Sequence, residues 1–123
     1  MKTKCTSKDF EKFVQFCNEY LHKLRLENWE IVFKFDKTPD PPNYANCDIS
    51  FEKLHARITL FSDWTPDRVT QISLRELAYH EVVHILLAPL MEAHSGLDSI
   101  VREHEHNIIK QLCLCSFRPH KYK

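Results

Sequence analysis

The chain has 123 residues, of which 17 are Lys or Arg and 17 are Asp or Glu, so its formal net charge is zero. This length suits one domain with a single core, and a neutral chain has no overall field that would attract nucleic acid or an anionic membrane. The single glycine excludes a glycine-rich phosphate loop, and five irregularly spaced cysteines fit a reducing compartment. Because no apolar run is long enough to span a bilayer and the amino terminus is charged, we expect a cytoplasmic monomer without membrane or nucleic-acid partners.

The first half of the chain predicts one helix followed by three strands. Apolar residues recur at three- and four-residue steps from Ser7 to Arg25, which indicates an amphipathic helix whose phenylalanines belong to the core. Apolar and polar residues alternate from Trp29 to Phe35, which indicates a half-buried strand. Two further runs, Cys47–Phe51 and Ala56–Phe61, are close enough in sequence to form a hairpin. We therefore expect an α+β fold with a three-stranded, mostly antiparallel sheet.

A second helix is predicted next. Ser73 and Glu76 have the spacing of a capping box at its start, apolar residues follow at helical spacing, and Pro89 ends it. A last helix is predicted from about Asp98 to Ser116, and a basic segment of residues 118–123 follows it as a flexible tail. The predicted order is thus one helix, three strands and two helices in a single domain of residues 1–123.

The second helix carries the motif HExxH as His80, Glu81 and His84. Residues four apart share one face of a helix, so the two imidazoles can bind the same zinc ion while Glu81 stays close to it. A carboxylate that is not a ligand can take a proton from a zinc-bound water, whose pKa the metal lowers to roughly 7. The motif therefore predicts a hydrolytic zinc site with His80 and His84 as ligands and Glu81 as the general base.

A catalytic zinc ion normally has a third protein ligand. The extended motif HExxHxxGxxH is absent, because leucine occupies both position 87 and position 90. The last predicted helix offers four candidates: Glu103, His104, Glu105 and His106. The residues alone leave this choice open, since Glu105 is nearer to one apolar face of the helix and Glu103 lies on a second, partly apolar face.

The motif and its downstream acidic segment resemble the gluzincins, which are zinc peptidases built on HExxH and a later glutamate. In that family a glutamate on the following helix is the third ligand, and an Asp or Asn four positions on supports a metal-binding histidine. Glu103 and Asn107 match these two positions. The resemblance therefore implies zinc bound by His80, His84 and Glu103, and it leaves Glu105 as the alternative third ligand.

The short single-domain members, the minigluzincins, are similar in size and in the order of their elements. The resemblance thus implies a zincin-like domain that cleaves protein or peptide substrates, with Ala56–Phe61 as an edge strand that pairs with an extended substrate. Peptidases of phages and mobile elements that inactivate repressors are also similar, although His106 stands where they have alanine. Two other functions remain open, a non-catalytic binding or regulatory protein with structural or absent zinc, and hydrolysis of another amide.

Some residues outside the motif also prompt hypotheses. His120 in the tail could fold back onto the metal and keep the enzyme latent, whereas an ordinary disordered tail would leave activity unchanged. Tyr79 should face away from the site because of its position on the helix. The sequence identifies no residue that would stabilise an oxyanion, and His94 and Tyr122 fall in segments whose positions it does not fix.

Overall fold

The computed structural model describes residues 2–39, 43–93 and 98–117 and has the predicted α+β class. Its elements are α1 (Ser7–Lys23), β1 (Glu30–Asp36), β2 (Ala45–Ser50), β3 (His55–Phe61), α2 (Gln71–Leu86), α3 (Ala88–Ala93) and α4 (Asp98–Phe117). The predicted elements are found within a few residues of their expected ends, and only the short helix α3 was not predicted. Among the residues that the structure describes, none of the helices is both long and apolar enough to cross a membrane.

The sheet is mixed, and its strand order is β1-β3-β2. The β2–β3 hairpin is antiparallel as predicted, but β1 pairs with β3 in parallel, so the expectation of a mostly antiparallel sheet is wrong. Burial agrees with this order, because β3 is the most buried strand and three of its side chains, Ala56, Ile58 and Leu60, are fully buried. The strand predicted to be an edge is therefore the central one, and the edges are β1 and β2.

Helix α1 packs against α2 and forms the core with the inner face of the sheet. Phe13 and Cys17 of α1 are fully buried together with Ile58 of β3 and Val82 of α2, as expected for the phenylalanine side of α1. At the margin of this interface the Arg75 guanidinium lies 4.1 Å from the centre of the Phe16 ring. The core thus holds α2, the helix with the HExxH motif, in a fixed orientation above the sheet.

Helix α1 has well-defined signals at both ends. The Thr6 side chain accepts a hydrogen bond from the backbone N–H of Asp9, and the Asp9 carboxylate accepts one from the backbone N–H of Thr6, which completes a capping box. At the other end Arg25 has φ 59°, and the N–H of Leu26 donates to the Leu21 carbonyl at 2.8 Å. This is a Schellman motif whose left-handed position, usually glycine, is occupied by arginine.

Helix α2 begins earlier than predicted. Thr70 is its N-cap, and its side chain accepts a hydrogen bond from the N–H of Ser73 at 3.0 Å, while the Ser73 hydroxyl accepts one from the Thr70 N–H at 2.7 Å. The capping box thus pairs Thr70 with Ser73, and the predicted pair of Ser73 and Glu76 is wrong. The helix ends at Leu86, and Pro89 lies in the first turn of α3, where its missing N–H costs nothing.

Residues 2–5 form backbone hydrogen bonds with the loop that leads into α2. The Cys5 N–H donates to the Ser62 carbonyl at 2.7 Å, the Trp64 N–H donates to the Thr3 carbonyl at 2.7 Å, and the Val69 N–H donates to the Lys2 carbonyl at 2.9 Å. These backbone hydrogen bonds tie the start of the chain to residues 62–69. The start of this loop is also bonded to the sheet, because the Ser62 N–H donates to the carbonyl of Asp36 in β1 at 3.0 Å. The loop before α2 is therefore held by both the amino-terminal segment and the sheet.

Candidate metal centre

Three histidines from two helices form the core of the candidate site. His80 and His84 of α2 and His106 of α4 each offer a ring nitrogen, and these nitrogens lie within 4.8 Å of one another. The ring centroids of His80 and His84 are 5.1 Å apart, and the ring of His106 lies 5.3 Å from His84 and 6.1 Å from His80. Zn–N bonds of about 2.0–2.1 Å place tetrahedral ligand nitrogens roughly 3.4 Å apart. Small side-chain rotations would therefore let all three imidazoles bind one ion.

Glu105 holds His84 in this group. Its Oε2 lies 3.1 Å from the Nδ1 of His84, and the two side chains are only 9% and 16% exposed. An imidazole that donates from Nδ1 to a carboxylate has its ring orientation fixed and its Nε2 left available as a metal ligand. The structure thus gives Glu105 a place next to a predicted ligand, on the buried side of α4.

Glu81 is buried beside the histidines. Its side chain is 5% exposed, and burial, followed by the nearby charge of Glu105, raises its pKa to about 8. A positive ion bound to the three imidazoles would lower this pKa again by attraction to the carboxylate. Glu81 is therefore a buried carboxyl group whose ionisation depends on its neighbours, rather than a solvated surface charge.

His80 has the protonation state that metal binding requires. Burial, followed by the charges of His84 and His106, lowers the pKa of His80 to about 4. The neutral imidazole is the form that binds metals, so His80 is ready to act as a ligand at neutral pH without first losing a proton.

The structure brings His80, Glu81 and His84 together as the motif predicts, but Glu103 is not in the three-histidine group. Glu103 is exposed, as are His104 and Asn107 on the same helix. The prediction that Glu103 binds the metal stays a prediction that metal-binding measurements must decide.

Sequence reasoning gave little weight to His106. The feature that would have identified it is the buried face of α4. This face contains Glu105, which is 8% exposed, and Ile109, which is fully buried. Ile108, the residue before Ile109, is 40% exposed and so does not belong to the buried face. When the buried face of α4 is defined by Ile109 rather than by Ile108, Glu105 and His106 lie on the side of the helix that is close to α2.

Other residues named from the sequence have simpler positions. Tyr79 faces away from the site as predicted, and its ring packs edge-on against Tyr20 with centroids 5.1 Å apart. His94 and the tail with His120 and Tyr122 lie outside the described residues, so the latency hypothesis stays a prediction.

An open cleft of about 890 Å³ gives access to the three histidines. One wall is strand β2, an edge of the sheet, and the other walls come from α2, α3 and α4. We call it the β2 cleft; the residues of β2 that line it are Ala45, Asn46, Cys47, Asp48 and Ile49. Glu81 and Glu105 also line this cleft, so the histidines and both buried carboxylates face the same space.

Fold and site together define a small α+β protein with a three-histidine group that could hold a metal ion and that lines a cleft beside an edge strand. The chain matches no protein-family model, no curated protein and no solved structure.

Proposed function

We propose that the chain is a zinc-dependent peptidase in which His80, His84 and His106 bind the metal and Glu81 is the general base. The observation that carries the proposal is the buried carboxylate of Glu81 next to three imidazoles in an open cleft. A structural metal site has no need of a buried carboxyl group that is not a ligand. Three neutral nitrogen ligands with an open position are a donor set that catalytic zinc uses.

The three histidines fit zinc by the chemistry of their donor atoms, since imidazole is a borderline ligand that suits this ion. When bound, zinc supplies Lewis-acid polarisation of a carbonyl and a water of lowered pKa. The part of Glu81 is to accept a proton from the attacking water at its carboxylate and to return it to the leaving nitrogen. Glu105 keeps the His84 ring oriented during these steps through its contact with Nδ1.

Strand β2 supports a peptide as the substrate. It is an edge strand, so among the residues that the structure describes one side of its backbone has no strand partner, and it forms a wall of the cleft that contains the histidines. An extended peptide can add to such an edge through main-chain hydrogen bonds, which hold it without requiring one sequence. This role belongs to β2 rather than to β3, because β3 is paired on both sides.

Replacement of the base tests the proposal. Zinc-loaded Glu81→Gln should retain about one zinc ion per chain, because Glu81 is not a ligand, and should hydrolyse labelled casein about 10²–10⁴-fold more slowly than the wild type. Glu11→Gln on the exposed side of α1 is a matched control and should change neither quantity.

Three results would contradict the proposal in different ways. Absence of zinc after reconstitution would remove the metal centre, and an unchanged rate in Glu81→Gln would remove Glu81 as the base. Zinc binding without hydrolysis of casein or of a peptide library would favour the alternative, a non-catalytic binding or regulatory protein.

A further inference from the structure

The free edge of β1 is a surface to which another strand can add. Among the residues that the structure describes, β1 pairs with β3 alone, so the other side of its backbone has no strand partner. Its inward side chains pack against the core but are only half-buried; they are Ile31, Phe33 and Phe35. The inward side chains of the central strand β3 are fully buried by comparison. The core is therefore partly open along the edge formed by β1.

The hydrogen bonds at the two ends of β1 show which of its backbone groups point to the free side. The Glu30 N–H donates to the Leu54 carbonyl at 2.9 Å. At the other end, the Asp36 carbonyl accepts from the Ser62 N–H at 3.0 Å. Both residues thus point toward β3, and backbone groups of successive residues in a strand point to opposite sides. The backbone groups of the three half-buried residues therefore point away from β3, where an added strand can bond to them.

A second copy of the chain fits this edge in an antiparallel register. Symmetric dimers most often have a two-fold axis, and an axis through Val32 would place this residue opposite itself. Glu30 would then lie opposite Lys34 of the second copy, and the same contact would occur twice. Ile31 would lie opposite Phe33, and both residues direct their backbone groups to the free side. Opposite charges and aromatic with β-branched residues are stabilising pairs across antiparallel strands.

Like charges disfavour the neighbouring registers. A two-fold axis through Phe33 would place Glu30 opposite Asp36 of the second copy at both ends of the paired strands. An axis through Lys34 would place two lysines opposite each other. Like charges directly opposite each other on paired strands are destabilising. The axis through Val32 is thus the register in which residues 30–34 of both copies pair and opposite charges meet.

The side chains that this register brings together are accessible. Val32 is 45% exposed, which is unusual for a large apolar side chain in a strand, and the second copy would cover it. The Lys34 Nζ lies 3.3 Å from the Asp36 carboxylate of its own strand, with both side chains about half exposed. An exposed ion pair of this kind contributes little to stability, so it does not prevent Lys34 from contacting Glu30 of the second copy.

From this edge we infer that two copies of the chain associate through β1. Their three-stranded sheets would join into one sheet with the strand order β2-β3-β1-β1-β3-β2. The two β2 strands would lie at its outer ends, so the β2 cleft would stay open in both copies. The inference differs from the monomer that we expected from the sequence, and it does not depend on the proposed peptidase function.

The first test is sedimentation equilibrium of the full chain. Concentrations from about 1 μM to about 500 μM are needed, because two short edges form a small interface that associates weakly. The wild type should show a reversible equilibrium between monomer and dimer. Val32→Lys should stay monomeric, because it would place two positive charges opposite each other. Ile49→Lys is the matched control at an exposed apolar residue of the other edge strand, β2, and it should dimerise as the wild type does.

Charge reversal tests the register. Glu30→Lys and Lys34→Glu should each weaken dimerisation by about 2–30-fold, since each change turns two pairs of opposite charges into pairs of like charges. The double variant restores opposite charges across the interface and should dimerise as the wild type does. Circular dichroism checks that every variant folds. If Val32→Lys does not fold, the three charge variants decide the question.

Three results would overturn the inference. A wild type that stays monomeric up to about 500 μM would exclude the dimer. A dimeric Val32→Lys together with a monomeric Ile49→Lys would assign the contact to β2 instead of β1. Tighter dimerisation of Glu30→Lys than of the wild type would refute the register, because this is the result expected when Glu30 lies opposite Asp36.

Discussion

Removal of the Glu105 carboxylate should weaken zinc binding, although Glu105 is not proposed as a ligand. Its Oε2 lies 3.1 Å from the Nδ1 of His84, and both side chains are largely buried, so no water can fully replace the contact. Loss of a carboxylate that orients a metal-binding histidine typically costs about 10–100-fold in metal affinity, which corresponds to about 1.4–2.7 kcal/mol. Glu105→Ala should show this loss. Glu105→Gln should lose less, because its amide oxygen can still accept from Nδ1–H.

The assay is competition for zinc against a colorimetric chelator at fixed pH and ionic strength, with folding followed by circular dichroism. His106→Ala should lose more affinity than Glu105→Ala, since it removes a proposed ligand. Glu103→Ala removes an exposed carboxylate two residues away and serves as the matched control, with no change expected. Loss of zinc in Glu103→Ala with normal affinity in Glu105→Ala and His106→Ala would refute the three-histidine arrangement and support Glu103 as the third ligand.

Three further predictions concern stability and are measured by urea unfolding. Arg25→Gly should raise the free energy of unfolding by roughly 0.5–1 kcal/mol, because φ at this position is 59° and glycine avoids the steric cost; a decrease would contradict this reasoning. Asp9→Ala should cost about 1 kcal/mol at pH 7. Burial pushes the pKa of Asp9 upward, but hydrogen bonds from Lys2 and Thr6 outweigh it and hold that pKa below 3.8. The difference between Asp9→Ala and the wild type should therefore be full above pH 3.8 and shrink as the pH falls through the lower folded-state pKa; a constant difference would count against it. Ile58→Ala, at a fully buried position of β3, should cost about 2–5 kcal/mol, and a loss below 1 kcal/mol would show that the core tolerates a cavity there.

The parts of the fold that depend on residues close together in the sequence could be predicted from the sequence. Periodicity located the helices and strands, and helix geometry placed His80 and His84 on one face. The order of the strands could not be derived in this way, because the parallel pairing of β1 with β3 joins segments separated by a whole strand. Apolar composition does not identify the central strand either, because β1 and β3 contain equal numbers of apolar residues.

The face of α4 that lies against α2 depended on tertiary packing rather than on local pattern. The sequence of α4 is compatible with more than one buried face, and contact with α2 selects the face that contains Glu105 and Ile109. A match to a family motif at Glu103 could not reveal this, since a shift of one residue rotates a helix position by about 100°. The sequence therefore predicted that His80 and His84 lie together, whereas the position of His106 beside them followed only from the packing of α4.

The hydrogen bonds of residues 2–5 make the approach to the HExxH helix sensitive to changes at the start of the chain. The Thr3 carbonyl accepts from the backbone N–H of Trp64, and the Lys2 carbonyl accepts from that of Val69, one residue before the N-cap of α2. An affinity tag fused directly before Lys2, or a cut that frees this segment, would therefore loosen the loop from which α2 starts. Reporter groups are better attached to the exposed outer side of α1.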